Sequence, residues 1–147
     1  MADLPLPDSR IGFMHAPDWR AAVERSLGML EAEGFITRNY IDTVIASVES
    51  GKGLYMALGQ GLMLAHCRPE DGALETGISL VVLDEPVPLG DSDDHPVNLI
   101  WGLCANDSHA HQQIMAELAK VLMQSEAREA LSAARDIEAV RAAIAAA

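Results

Sequence analysis

Residues 62–72 read Leu-Met-Leu-Ala-His-Cys-Arg-Pro-Glu-Asp-Gly, an apolar run that delivers a histidine to the start of a polar turn. The run is typical of a buried strand, and Pro69 and Gly72 indicate the turn after it. A histidine at such a point has its backbone held rigidly while one ring nitrogen faces solvent. Because a neutral imidazole keeps a lone pair, His66 is a candidate to accept a proton, a metal or a phosphoryl group. The alternative is a surface histidine in a turn.

The segments around this run alternate between strand and helix patterns. We expect strands at 11–14 (an edge strand), 54–58, 62–66, 78–83 (a central strand) and 97–103, with a Gly59-Gln60-Gly61 turn between the second and third. We expect helices at 19–33 after an Asp18 cap, 37–50, from Ser108 after Asp107, 125–134 and 136–146. A loop rich in Pro, Gly and Asp is expected at 84–96. The pattern predicts a single-domain α/β sandwich over residues 1–147, with a central mixed β-sheet flanked by α-helices.

Composition excludes several classes of function. The 147 residues carry a formal net charge of −12, which argues against a nucleic acid or an anionic membrane surface as partner. No apolar run approaches the roughly 20 residues that span a bilayer, and the start lacks the pattern of a signal peptide. Cys67 and Cys104 form no disulfide framework. We therefore expect a cytoplasmic protein with no direct membrane insertion.

The histidines are the best candidates for chemistry. His66 ends one predicted strand, while His109 and His111 lie near a helix start that follows another strand end. Ligand sites gather outside strand ends in open α/β sheets, so the two histidines meet if these strands are neighbours. A phosphoryl-accepting histidine also needs donors for the phosphoryl oxygens. His111, Ser108 and Arg68 are the available candidates.

Other interpretations of these residues stay open. Cys67 could pair with His66 as a nucleophile, but adjacent strand residues point to opposite faces, which favours a packing role. His109 and His111 could form half of a zinc site with His66, as in a metal-binding hydrolase. Arg68 could instead form an ion pair with the carboxylates that follow it at positions 70 and 71.

Several segments, matched in order and distance, resemble enzyme IIA of the sugar phosphotransferase system, in its mannitol/fructose/ascorbate superfamily. The segments that carry the resemblance are residues 53–72, 76–80, 96–103 and 107–111, and residues 18–22 and 40–41 also fit. Nearly the whole chain is covered, which implies the fold of that family. The form His-x-Arg-Pro-Glu-x-Gly beginning at His66 is most similar to the ascorbate branch.

The resemblance implies a phosphotransferase. In that family, the histidine at the position of His66 takes a phosphoryl group from the phosphocarrier protein HPr and passes it to a cysteine of enzyme IIB for sugar uptake. The histidine at the position of His111 helps to hold the group, and no metal or organic cofactor is needed. The same fold could serve as a regulatory phospho-switch that binds other proteins without feeding transport. An exposed edge strand could also support a homodimer.

Three positions depart from the family pattern. Ala65 stands where proline is usual before the histidine, and Cys67 stands where a small residue is usual after it. Ser50 occupies the position of an arginine in mannitol-type members, with Lys52 and Arg68 as candidate substitutes. These departures bear on rate and specificity, since none removes the phosphoryl acceptor.

Overall fold

Five strands form one mixed sheet in the computed structural model, which describes residues 4–91 and 93–147. The strands are β1 (Ile11–Met14), β2 (Ala57–Gly59), β3 (Gly61–Ala65), β4 (Gly77–Pro88) and β5 (Pro96–Cys104). Their order across the sheet is β1-β4-β5-β3-β2. The pairs β1–β4 and β3–β5 are parallel, while β4–β5 and β2–β3 are antiparallel. The predicted mixed sheet is confirmed, and β1 lies at an edge as expected.

Helices cover both faces of this sheet. They are α1 (Trp19–Ala32), α2 (Arg38–Glu49), α3 (Ser108–Leu122), α4 (Ser125–Ala133) and α5 (Ile137–Ala145), close to the predicted bounds. The Asp18 carboxylate accepts the Ala21 N–H at the start of α1, as its capping position predicts. α1 and α2 pack on one face, whereas α3, α4 and α5 pack on the other. Among the helices of residues 4–91 and 93–147, we find none with the length and hydropathy of a membrane span.

The side-chain alternation of β3 decides which residues face which helices. Met63 and Ala65 are buried against α1 and α2, while Leu62 and Leu64 are buried against the α3–α5 layer. A one-residue slip would exchange the two sets, so burial on both faces fixes the register. The alternation continues past the strand end. It directs His66 to the α3 side and packs Cys67 against the α1–α2 core.

Two expectations about local structure are wrong in part. Residues 54–58 are mostly the 3-10 helix Lys52–Met56, and only Ala57–Gly59 pairs as a strand. A short apolar run does not by itself distinguish a strand from a helix. Here only residues 57–59 have a neighbouring strand, β3, with which to pair. The predicted turn after it is confirmed, with positive φ at Gly59, Gln60 and Gly61.

The loop expected at 84–96 begins later than predicted. β4 continues to Pro88 and pairs with β5 again at Val87 after an irregularity in the ladder. Its pairing with β1 ends at Leu83, so prolines beyond that point break no ladder on that side. Residues 1–3 of the predicted domain and residue 92 of the predicted loop lie outside the described residues.

Candidate functional site

His66 lies immediately after β3, at the end of the parallel β3–β5 ladder. Ala65 is fully buried there and pairs with Gly102 of β5. Because the two strands are parallel neighbours, the chain leaves both at the same edge of the sheet. The sequence analysis brings His66 and His111 together only if these two strands are neighbours, and they are.

The hydrogen bond of His66 defines its tautomer. Its Nδ1 lies 2.8 Å from the carbonyl oxygen of Leu64. A carbonyl oxygen only accepts, so Nδ1 carries the proton and donates it. In the neutral ring, Nε2 then keeps its lone pair. The imidazole is half-buried, which leaves it open to solvent on one side.

His111 faces this ring from the first turn of α3. The two ring centroids are 6.4 Å apart, with an angle of 43° between the planes. Asp107 caps the helix by accepting the Ala110 N–H at 2.7 Å. The Asp107 carbonyl accepts the His111 N–H at 3.1 Å. The cap therefore orders the turn that carries the second histidine.

Both histidines line a cleft of about 610 Å³. Arg68 and Ser108, the other two predicted site residues, line the same cleft. Ser108 is the first residue of α3, where backbone N–H groups and the helix dipole favour an anion. The structure thus brings together all four residues that the sequence singles out.

Arg68 is exposed at the cleft. Within the described part of the chain, the structure shows no ion pair between Arg68 and Glu70 or Asp71. Lys52, the other candidate substitute for the missing arginine, is exposed and does not line the cleft. Ser50 also lies outside the lining and donates its hydroxyl to the Ser47 carbonyl at 2.7 Å.

Cys67 packs where the sequence predicts, away from His66 and against α2. Its Sγ lies 3.6 Å from the Tyr40 carbonyl, and its backbone N–H donates to the Tyr40 hydroxyl at 3.1 Å. Burial raises the pKa of the Cys67 thiol to about 12, with a smaller contribution from the Asp71 charge. The thiol therefore stays protonated near neutral pH, which does not suit a nucleophile.

His109 does not join the two cleft histidines. Its side chain is exposed, and it is absent from the cleft lining. Over residues 4–91 and 93–147, no three His, Cys, Asp or Glu side chains cluster so as to hold a metal ion. The ligand set required by the zinc interpretation is thus not assembled from His66, His109 and His111.

Sequence reasoning missed two tyrosines that border the site. Tyr55 meets the His66 ring edge-on, with centroids 6.0 Å apart, although its side chain is largely exposed. Tyr40 lines the cleft from α2, with its hydroxyl bonded to the segment after His66. Helical periodicity identifies Tyr40 as a core residue, but it gives no sign of the hydroxyl's partners. Tyr55 lies in the part of residues 54–58 that forms a 3-10 helix in place of the predicted strand.

Comparison with known sequences gives a consistent result. Residues 6–147 match the family described as "Phosphoenolpyruvate-dependent sugar phosphotransferase system, EIIA 2". The mannitol-specific cryptic phosphotransferase enzyme IIA component of Escherichia coli (strain K12) is 36% identical over 126 residues, covering 85% of this chain and 84% of that protein. The ascorbate-specific PTS system EIIA component of the same strain is 32% identical over 99 residues, covering 67% and 64%. Since relatives of both kinds match, assignment to the ascorbate branch stays a prediction.

Solved structures agree with the sequence comparison. The solution structure of the mannitol-specific cryptic enzyme IIA from Escherichia coli has a TM-score of 0.87 at 33% identity, covering 97% of this chain and 96% of that chain. A complex of mannitol enzyme IIA with phosphorylated mannitol enzyme IIB from Escherichia coli matches with a TM-score of 0.79 at 20% identity, covering 99% and 100%, and supports the fold alone. From sequence and fold together, the chain belongs to the EIIA 2 family of the phosphoenolpyruvate-dependent sugar phosphotransferase system.

Proposed function

We propose that this protein is a phosphohistidine carrier in which His66 receives a phosphoryl group from phospho-HPr and passes it to a cysteine of enzyme IIB. The observation that carries the proposal is the hydrogen bond from His66 Nδ1 to the Leu64 carbonyl, 2.8 Å long, beside the His111 ring. It leaves Nε2 as the nucleophile in an open cleft. The family assignment supports a phosphotransferase role in sugar uptake.

The proposed chemistry needs two displacements at phosphorus. In the first, the Nε2 lone pair attacks phosphorus, an N–P bond forms, and the bond from phosphorus to the donor breaks. The His66 ring gains positive charge while its Nδ1–H stays on the Leu64 carbonyl, which stabilises that charge. In the second, the thiolate of enzyme IIB attacks phosphorus and the N–P bond breaks, which restores the neutral ring. The positive charge on the ring keeps it a good leaving group.

Three residues are candidates to donate hydrogen bonds to the phosphoryl oxygens. We assign His111 to hold the group, with Arg68 and the Ser108 hydroxyl as further contacts. All three line the cleft with His66. A guanidinium donates hydrogen bonds in a planar fork that suits a phosphate. The dipole at the start of a helix also attracts the negative charge of a phosphoryl group. Arg68 is our candidate for the charge that the departure at Ser50 removes, because Lys52 lies outside the lining.

The family assignment also supports a proposal about partners. We propose HPr as donor and enzyme IIB as acceptor. Both choices rest on the family assignment of the chain. We also propose that residues 1–147 act as one domain, in the cytoplasm, with no metal or organic cofactor. The sugar is ascorbate-like or related, because the motif at His66 resembles that branch.

A phosphorylation assay tests the central claim. The protein is incubated with enzyme I, HPr and phosphoenolpyruvate, and an acid-labile phosphoryl group is sought on the wild type and on His66→Gln. We expect label on the wild type and none on the variant. Label that persists on His66→Gln, or that never appears on the wild type, would refute the proposal.

A second pair of variants tests the role of His111. His111→Ala should still become phosphorylated but should transfer slowly to enzyme IIB. His109→Ala is the matched control, since it removes an exposed imidazole from the same helical turn. Equal transfer by the two variants would remove the role given to His111. A wild type that is labelled at His66 but transfers to no enzyme IIB would favour the regulatory phospho-switch.

A further inference from the structure

A tyrosine on α2 joins the two chain segments that carry the histidines. Tyr40 is buried, with 1% of its surface exposed, and its ring packs in the α1–α2 core. Its hydroxyl reaches the edge of the sheet where β3 and β5 both end. There it meets the backbone at Cys67, directly after His66, and at Leu103, near the end of β5.

The distances assign a donor and an acceptor role to this hydroxyl. It lies 2.6 Å from the Leu103 carbonyl, to which it donates its single proton. It accepts the Cys67 N–H at 3.1 Å. The Cys67 carbonyl, at 3.3 Å, is the more distant acceptor for the same proton. Burial raises the pKa of Tyr40 above the ordinary value, so the hydroxyl keeps the proton that the Leu103 carbonyl needs.

Each hydrogen bond fixes one side of the site. The Cys67 bond holds the peptide that follows His66 and so limits movement of that imidazole away from the sheet. The Leu103 bond holds the strand that leads, through Asp107, into the first turn of α3 and His111. Adjacent parallel strands are already paired through Ala65 and Gly102, but that ladder ends there. The Tyr40 hydroxyl is the next connection beyond the ladder.

We propose that Tyr40 is a positioning residue for phosphoryl transfer, which holds the His66 and His111 imidazoles at their mutual distance by bonding both backbone segments. The inference rests on the proposed function of His66. Tyr40 itself touches no reacting atom. Displacing a reacting group by about 1 Å can slow a reaction by about 100-fold, so a small relaxation here has a measurable effect.

The test uses Tyr40→Phe, which keeps the ring and removes only the oxygen. We expect kcat for transfer to enzyme IIB to fall by about 10- to 100-fold. The KM for enzyme IIB should stay unchanged, because Tyr40 has only 1% of its surface exposed and so offers a partner protein almost nothing to contact. The matched control is Ser79→Ala. Ser79 lies on β4, outside the cleft, and its buried hydroxyl donates to the Ser26 carbonyl at 2.8 Å. The substitution therefore removes another buried hydroxyl. The control should lose stability without losing transfer rate.

A second readout needs no phosphoryl transfer. The ¹⁵N shifts of both imidazoles are measured in the unphosphorylated proteins, and those of His66 and His111 should change in Tyr40→Phe but not in Ser79→Ala. If the wild type is never phosphorylated while these shifts change, the proposed function fails, whereas the role of Tyr40 in holding the two imidazoles in place stands. Unchanged shifts together with an unchanged kcat would overturn the inference.

A measurement on the wild type tests the inference even if Tyr40→Phe does not fold. The Tyr40 hydroxyl proton should exchange slowly with water and show proximity to the Cys67 N–H in NMR spectra, since it is buried and bonded. A hydroxyl proton that exchanges as fast as that of the exposed Tyr55 would overturn the inference, whatever the variant does.

Discussion

Replacing Asp107 with alanine removes the side chain that caps α3 at the site. Its Oδ1 accepts the Ala110 N–H at 2.7 Å, which satisfies one of the free N–H groups of the first turn. Ser108 begins that turn and His111 lies in it. The cap therefore acts on the backbone that presents both residues to His66.

The structure sets the size of the expected effect. Losing an aspartate N-cap costs about 1 kcal/mol of unfolding free energy. For a domain of this size, that lowers the Tm by about 3 °C. A change of 1 kcal/mol corresponds to about a fivefold change in population, so fraying of the turn can slow transfer from phospho-His66 by about fivefold at most. We expect a decrease of about two- to fivefold.

Two comparisons separate positioning from stability. Asp136→Ala removes a cap of the same kind, in which Oδ1 accepts the Ala139 N–H at 2.8 Å at the start of α5, away from the cleft. It should lower the Tm equally and leave transfer unchanged. Asp107→Asn keeps an acceptor at the cap and should retain the wild-type rate or exceed it, because a negative charge leaves the cleft.

The assay measures Tm by circular dichroism and transfer to enzyme IIB under single-turnover conditions. The reasoning would be refuted if Asp107→Ala transferred at the wild-type rate while losing as much Tm as Asp136→Ala. Equal slowing by both alanine variants would also refute it, because global stability would then account for the rate.

Three further predictions follow from other residues. Arg68→Gln should slow transfer by about tenfold, because a charge-assisted hydrogen bond contributes about 1.5 kcal/mol or more. Lys52→Gln should leave the rate unchanged, because Lys52 lies outside the cleft lining. Equal rates in the two variants would exclude Arg68 as a phosphoryl contact. His15 donates from Nδ1 to the Asp84 carboxylate at 2.9 Å, and this hydrogen bond raises the pKa of His15 above 6.5. The His15–Asp84 pair therefore contributes its full stabilisation below pH 6.5 and loses it as the pH rises through the raised pKa. Asp84→Asn should return the NMR titration of His15 toward 6.5, and an unmoved titration would contradict the pairing. Burial raises the pKa of Cys67 to about 12 and of Cys104 to about 11, so both thiols should resist iodoacetamide at neutral pH until the protein is denatured, and rapid alkylation of folded protein would contradict this.

Sequence periodicity identified most of the fold because each element buries a regular face. The apolar spacing of α1, α2 and α3 and the continuous apolar run of β4 predict these elements closely. Residues 54–58 and the end of β4 are harder to predict, because their secondary structure depends on a neighbouring strand that the local sequence does not reveal. Residues 57–59 form a strand because they pair with β3. β4 can contain prolines near its end because its pairing with β1 has already ended at Leu83.

The site was predicted by residue type and by resemblance rather than by geometry. A histidine at a strand end and a second one at a helix start were visible in the sequence, and the family pattern connected them. The ring distance, the bond from His66 to Leu64 and the choice of Arg68 over Lys52 required the structure. These features join residues far apart in the chain or depend on a rotamer, and neither leaves a periodic signal.

Local patterns of burial and residue type are therefore enough to predict most of the helices and strands, the family resemblance and four of the residues that line the cleft. The tertiary structure alone decided that β3 and β5 are parallel neighbours, and so which side chains meet at their ends. It also decided which nitrogen of His66 is free and which buried hydroxyl joins the two strand ends. Hydrogen-bond partners depend on orientation within a few tenths of an ångström, which is set by packing from every layer at once.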